Sequence, residues 1–358
     1  MNYNEIRRKT REVRVGGLVI GGHAPIVIQS MTNTDTHDKE ATLSQVLSME
    51  RAGCDMVRLT VPDEEAAETV LFLKEHDVHV PIVADIHFDY RIALRCAEYG
   101  VDKIRINPGN IGADEHVVKV VEKVRPSGIP IRIGINSGSL PEDILQEYGG
   151  HPTADGMVEG ALRHIRILEK MDYRNMVISL KSSQVPLMIE AYEKLAEKVP
   201  YAFHLGVTEA GLARVGTIKS AIGIGTLLYK GIGDTIRVSL TDDPAEEIKV
   251  GQDILSALGL RQFGPVLISC PTCGRTQVHL IELAKEVEAA LTGITVPLKI
   301  AVMGCVVNGP GEAREADFGI AGGNGKGIIF SHGQVLRTVP EDKLVDALLE
   351  EINKSISS

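Results

Sequence analysis

Short apolar runs rich in valine and isoleucine recur along the chain at 26–31, 56–61, 81–86, 103–107, 131–136, 175–180, 202–207 and 235–240. Each has the length of a strand and is bounded by polar or turn-forming residues. The segments between them change period. In ADEHVVKVVEKV, Val117, Val120, Val121 and Val124 fall at i, i+3, i+4 and i+7, which places them on one face of a helix. Eight strands alternating with helices over roughly 250 residues predict an α/β fold, the TIM (β/α)8 barrel. An open doubly wound sheet is the alternative, but no GxGxxG follows the first run, and eight evenly matched units favour closure. Ahead of the first run, REVRVGGLVIGG carries two alternating stretches around a Gly-Gly and predicts a hairpin closing the bottom of the barrel.

After the eighth predicted helix (244–260) the pattern changes. Strand-like VLISC, a helix with Leu280, Leu283, Val287 and Leu291 on one side, strand-like PLKIAVMGC, a glycine-rich stretch, strand-like GIIF and a last helix predict a smaller α+β unit. The boundary falls at RQFGP, giving expected domains of 1–262 and 263–358.

With 358 residues and 44% hydrophobic content, the chain can bury two cores. No apolar run is long enough to span a membrane. The basic N-terminal stretch (Arg7, Arg8, Lys9, Arg11, Arg14) is interrupted by Glu5 and Glu12 and followed by no apolar signal core, so a cytoplasmic protein is expected. Five cysteines, an odd number, fit a reducing compartment. A net charge of −10 argues against general nucleic-acid binding but leaves room for local basic clusters.

In a barrel the chemistry sits at the C-terminal strand ends. There the sequence places Asn33 and Asp35, Arg58 and Thr60, Asp85 and His87, Arg105 and Asn107, Asn136 and Ser137, Lys181 and Ser182, Thr208 and Glu209, and Arg237 and Ser239. A full ring of polar groups predicts a polar, charged ligand. Arg58, Arg105 and Arg237 have an alternative role as ion pairs with Asp85 or Glu209, and alternation from Asn136 leaves Arg132 facing inward or outward. Several guanidiniums plus Lys181 round one mouth suit a diphosphate. His87 and Glu209 are candidate general acid and base, although a histidine at a strand end also serves as a structural hydrogen-bonder. Lys181 has a rival reading as the nucleophile of a Schiff-base lyase. Cys54 and Cys96 read as buried core thiols.

Cys270 and Cys273 form a CxxC, and Cys305 follows about thirty residues later. The spacing points to a metal site, either zinc or an iron–sulfur cluster. Three grouped thiolates leave one iron of a 4Fe-4S cluster for an oxygen ligand, and Glu312, Glu315 and Asp317 lie just beyond Cys305. Such a labile ligand could give way to a substrate oxygen. Gly304, Gly309 and Gly311 would let the backbone wrap closely round a cofactor. A structural zinc completed by His279 or a carboxylate is the competing reading, and it would accompany the Schiff-base lyase.

The runs PIVIQSMTNTDT, VRLTVP, ADIHFDYRIAL, KIRINPGNIG, RIGINSGSL, SLKSS, GVTEAG, TIRVSLT, ISCPTCGRT and GCVVNGPGEAREADFGIAGG together resemble the bacterial 4-hydroxy-3-methylbut-2-en-1-yl diphosphate synthases of the methylerythritol phosphate route to isoprenoids. The resemblance covers essentially the whole chain. It implies a barrel similar to that of dihydropteroate synthases, followed by an iron–sulfur cluster domain similar to part of the sulfite and nitrite reductases. By the same resemblance a 4Fe-4S cluster is held by Cys270, Cys273, Cys305 and Glu312. The implied substrate is 2-C-methyl-D-erythritol 2,4-cyclodiphosphate, whose diphosphate is held by Arg58, Arg105, Arg132, Lys181, Arg237 and Ser239 with Asn136 nearby. His87 and Glu209 then face the reacting carbons. Two electrons come singly from reduced flavodoxin or ferredoxin. The family is described as a head-to-tail homodimer in which each cluster domain caps the partner's barrel. A plain electron-transfer or iron-sensing protein is disfavoured, since it has no use for eight polar strand ends.

Overall fold

The computed structural model describes residues 3–107, 111, 114–305, 313–323 and 325–357. Glu312, Gly309 and Gly311 fall outside them. The chain divides into two compact units, Met1–Arg261 and Gln262–Ser358.

The first unit opens with a short helix α1 (Tyr3–Ile6) and an antiparallel hairpin, β1 (Val13–Val15) and β2 (Leu18–Ile20). Val13, Val15 and Ile20 pack against Val27, Met56, Val83, Val177 and Ala202, inward residues of the barrel strands near their N-terminal ends. The hairpin therefore plugs the bottom of the barrel, as its pattern predicted.

Eight strands follow: β3 (Val27–Met31), β4 (Met56–Thr60), β5 (Ile82–Ile86), β6 (Lys103–Ile106), β7 (Ile131–Asn136), β8 (Met176–Lys181), β9 (Ala202–Leu205) and β10 (Thr235–Ile236). They run in sequence order and close, with β10 beside β3, which excludes the open sheet. The helices α2 (Lys39–Arg51), α3 (Glu64–Glu75), α4 (Tyr90–Glu98), α5 (Asp114–Val124), α6 (Glu142–Glu147), α7 (Ala154–Lys170), α8 (Val185–Ala196), α9 (Ala213–Tyr229) and α10 (Pro244–Ala257) connect them. Their starts are written in the sequence: Asp38 accepts from the Ala41 N–H and Asp63 from the Ala66 N–H, which satisfies donors that an α-helix leaves orphaned in its first turn. The valine stripe of α5 (Val117, Val120, Val121, Val124) is fully buried.

Strand alternation directs every second side chain toward the barrel axis. Low in the barrel these are mostly apolar, with Gln29, Lys103 and His204 buried among them, and toward the C-terminal ends they become Arg58, Asp85, Arg105, Arg132, Ser179 and Lys181, all buried. The last strand is shorter than its apolar run suggested. After Ile236 the Arg237 N–H still bonds to the Leu205 carbonyl of β9 at 2.9 Å, and the next backbone-to-backbone bond is from the Thr241 N–H to the Gly211 carbonyl at 3.0 Å.

The second unit is a five-stranded sheet in sequence order: β11 (Val266–Ser269), β12 (Lys299–Met303), β13 (Phe318–Gly323), β14 (Lys326–Ser331) and β15 (Gln334–Pro340). The first three are parallel neighbours and the last two run antiparallel. Helices α11 (Leu280–Ala290) and α12 (Leu344–Ile356) cover one face, where Leu283, Val287, Val302, Ile320, Ile329 and Leu348 form the core. Two of these strands were not foreseen. β13 (FGIAGG) has the glycine content of a loop, but a side chain at Gly319 would strike Phe330 and come within 2.9 Å of the Ala301 Cβ. β15 is joined to β14 by His332 and Gly333, both with positive φ, a two-residue hairpin turn. Among the described residues no helix is long and apolar enough to cross a membrane.

Candidate active site

The C-terminal strand ends enclose a cavity of about 200 Å³ lined by Met31, Arg58, Thr60, Asp85, His87, Arg105, Arg132, Asn136, Ser179 and Lys181. Two glycines make room for the longest side chains. A Cβ on Gly134 would fall 2.7 Å from the Arg105 Nε, and one on Gly206 would fall 3.1 Å from the Lys181 Nζ, so both cations lie across bare backbone of the next strand.

Asp85 is the hub. Its Oδ1 lies 2.8 Å from the Arg105 Nη1, its Oδ2 lies 3.5 Å from the Arg58 Nε, and His87 Nε2 stands 3.9 Å away. Burial alone would raise the Asp85 carboxyl, but the charges of Arg58 and Arg105 outweigh it and hold the group well below the usual carboxylate range. Arg58 also directs Nη2 at the Met31 sulfur, 2.7 Å away. Burial, reinforced by Arg237 and Arg105, lowers Arg58 to about 9 even with Asp85 opposing.

Arg237 finds a different partner from the ones foreseen. It pairs with Glu247 of α10 (3.2 Å), not with Asp85 or Glu209. Arg132, left open by the sequence, points inward: it is 1% exposed, and its Nε and Nη1 have no hydrogen-bond acceptor among the described residues. Arg132 and Lys181 are both pushed well down by burial and then by the surrounding cations. Four basic side chains (Arg58, Arg105, Arg132, Lys181) line the cavity with one carboxylate, Asp85, leaving a formal excess of three positive charges, and the Arg237–Glu247 pair lies outside the lining. Unpaired guanidinium edges at the base of an open cavity bind oxyanions, and bidentate contact to phosphate is the geometry they favour.

The other expected residues are dispersed. Asn136 is half-buried and lines the cavity. Ser239 is half-buried beside Arg237 and is not in the lining. Glu209 is exposed on the loop after β9, also outside the lining, with a left-handed φ of 51°. Cys54 and Cys96 are buried, and burial pushes both thiols up to about 12.

In the second unit Cys270 follows β11 and Cys305 follows β12, so neighbouring parallel strands deliver both thiols to one end of the sheet. The Gly304 N–H donates to the Cys270 sulfur at 3.2 Å. Cys273 is exposed, and its N–H donates to the Thr276 Oγ1 at 3.0 Å. Bonds from the backbone and side chain of Arg275 lower its thiol. A thiolate favoured by N–H donors beside a second thiol is a soft ligand set suited to iron–sulfur or zinc chemistry. Among the described residues no three His, Cys, Asp or Glu side chains close on one ion. Four-iron clusters distribute their thiolates over separate irons.

The profile of the GcpE TIM-barrel domain matches residues 10–252, and that of the GcpE protein C-terminal domain matches 266–354. The chain belongs to the GcpE family. Among its relatives is the 4-hydroxy-3-methylbut-2-en-1-yl diphosphate synthase (flavodoxin) of Caldanaerobacter subterraneus subsp. tengcongensis, 57% identical over 98% of this chain and 99% of that protein. The Geobacillus kaustophilus protein of the same name is also 57% identical, over 97% of this chain and 92% of its own length. Among solved structures the barrel is similar to the dihydropteroate synthase of Stenotrophomonas maltophilia (TM-score 0.50, 14% identity, 70% of this chain and 98% of that one), a likeness of fold alone.

Three residues of this GcpE site were missed by sequence reasoning. Ser179 stands two before Lys181 on β8 and was recoverable from alternation. Met31 lies in the QSM run but carries no polar signal. Glu247 occupies a buried position of α10 that periodicity assigns to the core, and nothing local marks it as a partner of Arg237.

Proposed function

We propose that the chain catalyses reductive ring opening of 2-C-methyl-D-erythritol 2,4-cyclodiphosphate to (E)-4-hydroxy-3-methylbut-2-enyl diphosphate, with reduced flavodoxin as electron donor. The observation that carries this reading is the formal excess of three positive charges round a cavity of about 200 Å³, in a member of the GcpE family. In this reaction a C–O bond to phosphate and a C–OH bond break, a C=C bond forms, two electrons and two protons enter and water leaves. The diphosphate stays attached throughout and serves as the handle.

Arg58, Arg105, Arg132, Lys181 and Arg237, with Ser239 and Asn136, are assigned to that handle. Asp85 and Glu247 hold three of the arginines in place, while Arg132, Lys181 and the sharing of Asp85 by two arginines account for the three uncompensated charges. This arrangement weighs against Lys181 as a Schiff-base nucleophile, because a neutral carbonyl substrate would leave the surrounding guanidiniums unbalanced.

His87, half-buried in the cavity lining, is assigned to hold a proton near the reacting carbons. Glu209 is assigned proton donation to the departing hydroxyl. Its left-handed backbone, φ 51°, costs on the order of 1 kcal/mol, strain that tends to be retained where position matters. Cys270, Cys273 and Cys305 are the ligands proposed for a 4Fe-4S cluster, with Glu312 as the fourth. Such a cluster would supply one-electron transfer between the donor and the substrate. On this reading the first unit binds substrate and the second delivers electrons.

A head-to-tail homodimer is the proposed assembly, each cluster unit serving the partner's barrel. The outer face of α9 supports a two-fold contact: Val215, Ile218, Ile222 and Tyr229 are all exposed at heptad-like spacing. The test is an anaerobic assay of the purified protein with photoreduced flavodoxin and the cyclodiphosphate. Formation of the linear diphosphate is expected, and its absence from cluster-replete protein overturns the reading.

A further inference from the structure

Glu247 is a carboxylate inside the wall of the barrel. It lies on α10, 4% exposed, among Ile248, Gly251, Ile254 and Leu255, where the helix packs against the strands. Its two oxygens are fully engaged. Oε2 accepts from the Ser30 hydroxyl of β3 at 2.7 Å, and Oε1 accepts from the Leu240 N–H at 3.0 Å and the Arg237 Nη2 at 3.2 Å. One side chain thus joins the first strand of the barrel, the outer helix and both ends of the segment Arg237–Leu240.

That segment needs an anchor. The strand pairing of β10 stops at Ile236, so of Arg237, Val238, Ser239 and Leu240 only the first keeps a backbone bond to β9. Arg237 and Ser239, the two residues assigned to the diphosphate, lie between the points that Glu247 holds. By contrast Arg58 and Arg105 take their orientation from Asp85, within the cavity itself.

We infer that Glu247 is the positioning residue for the eighth-strand half of the diphosphate site, fixing Arg237 and the backbone carrying Ser239 from outside the cavity. The inference rests on the diphosphate reading of the mouth. A carboxylate beside a binding arginine has two opposed effects: its charge weakens attraction of an anion, while its hydrogen bonds remove the cost of ordering the guanidinium and loop. Here the carboxylate is buried, held by Ser30 and shared with a backbone N–H, so orientation dominates.

The test is calorimetric binding of inorganic diphosphate to the full chain, with Glu247→Gln, Arg237→Ala and the double variant in one cycle. Glu247→Gln is expected to weaken binding about tenfold, the loss typical of one oriented charge-assisted contact. The part that acts through Arg237 is lost in the double variant, so Glu247→Gln weakens binding less on the Arg237→Ala background than on the parent, and what remains is the part carried by the backbone of Ser239. In the holoenzyme assay KM for the cyclodiphosphate rises while kcat stays within about twofold, a split that a general loss of fold does not produce. Should Glu247→Gln fail to fold, Ser30→Ala keeps both charges and removes only the donor to Oε2, and it is expected to weaken binding about threefold. Diphosphate binding by Glu247→Gln as tight as the parent's, or tighter, contradicts the inference and leaves Glu247 as a mere counter-charge; unchanged binding by Ser30→Ala does the same. If instead Arg237→Ala itself binds diphosphate normally, the reading of the mouth has failed.

Discussion

Asp85 and Arg105 meet at 2.8 Å inside the barrel mouth, on strands whose register sets them directly side by side. Both are buried, and the same carboxylate serves Arg58 from its other oxygen. One anion therefore stabilises two cations that would otherwise repel each other at the base of the cavity.

Replacing Asp85 by Asn should destabilise the barrel by on the order of 3 kcal/mol, because it leaves buried guanidiniums without a counter-charge. The pH dependence has a definite sign. The folded Asp85 titrates below its unfolded range, so its contribution is complete above the ordinary carboxylate pKa and drains away as pH falls through and below it. Denaturant melts from pH 7 downward should show a shallower acid loss for Asp85→Asn than for the parent chain.

Arg132 should behave in the opposite way toward stability. Its Nε and Nη1 are buried without acceptors among the described residues, so Arg132→Met ought to raise the melting temperature, by about 2–4 °C for each kcal/mol recovered. Diphosphate binding by the same variant should fall by about tenfold or more. A variant both less stable and fully able to bind would show that the guanidinium belongs to the core.

Binding of an anion should draw in protons. Burial and four neighbouring arginines lower Lys181 in the empty cavity, and a bound diphosphate reverses the electrostatic part of that shift. Affinity is therefore expected to fall as pH rises, with net proton uptake. Calorimetry in two buffers of unlike ionisation enthalpy measures it directly, and identical heats in both would refute the assignment of Lys181.

In the second unit, Gly319→Ala should cost about 1–3 kcal/mol through collision with Phe330 and Ala301. Thermal unfolding followed by circular dichroism would reveal it. An unchanged melt would mean that β13 can shift away from Phe330.

The barrel was legible because its strands and helices announce themselves by period, and because each βα junction carries its own polar residue. Where the reading fell short, the determining contact was distant in sequence. Arg237 was expected to pair with Asp85 or Glu209, but its carboxylate came from Glu247, a residue with the spacing of a core position. The direction of Arg132 depended on where β7 begins its alternation, which a run of IRIGIN leaves undecided. β13 was passed over as a glycine-rich stretch because its glycines answer to distant side chains, Gly319 to Phe330 on the next strand and Gly322 to Val278. Cys270 and Cys305 follow adjacent parallel strands to one sheet end, whereas the choice between zinc and iron–sulfur rested on family resemblance.

The most direct measurement is iron, acid-labile sulfide and zinc per chain on anaerobically purified protein, with its visible spectrum before dithionite, after it, and after adding the cyclodiphosphate to the reduced and desalted sample together with one equivalent of photoreduced flavodoxin, which supplies the second electron. The account predicts about four irons and four sulfides, a chromophore that bleaches on reduction, and its return as the linear diphosphate appears. One zinc and no visible band, persisting after anaerobic cluster reconstitution, would contradict it.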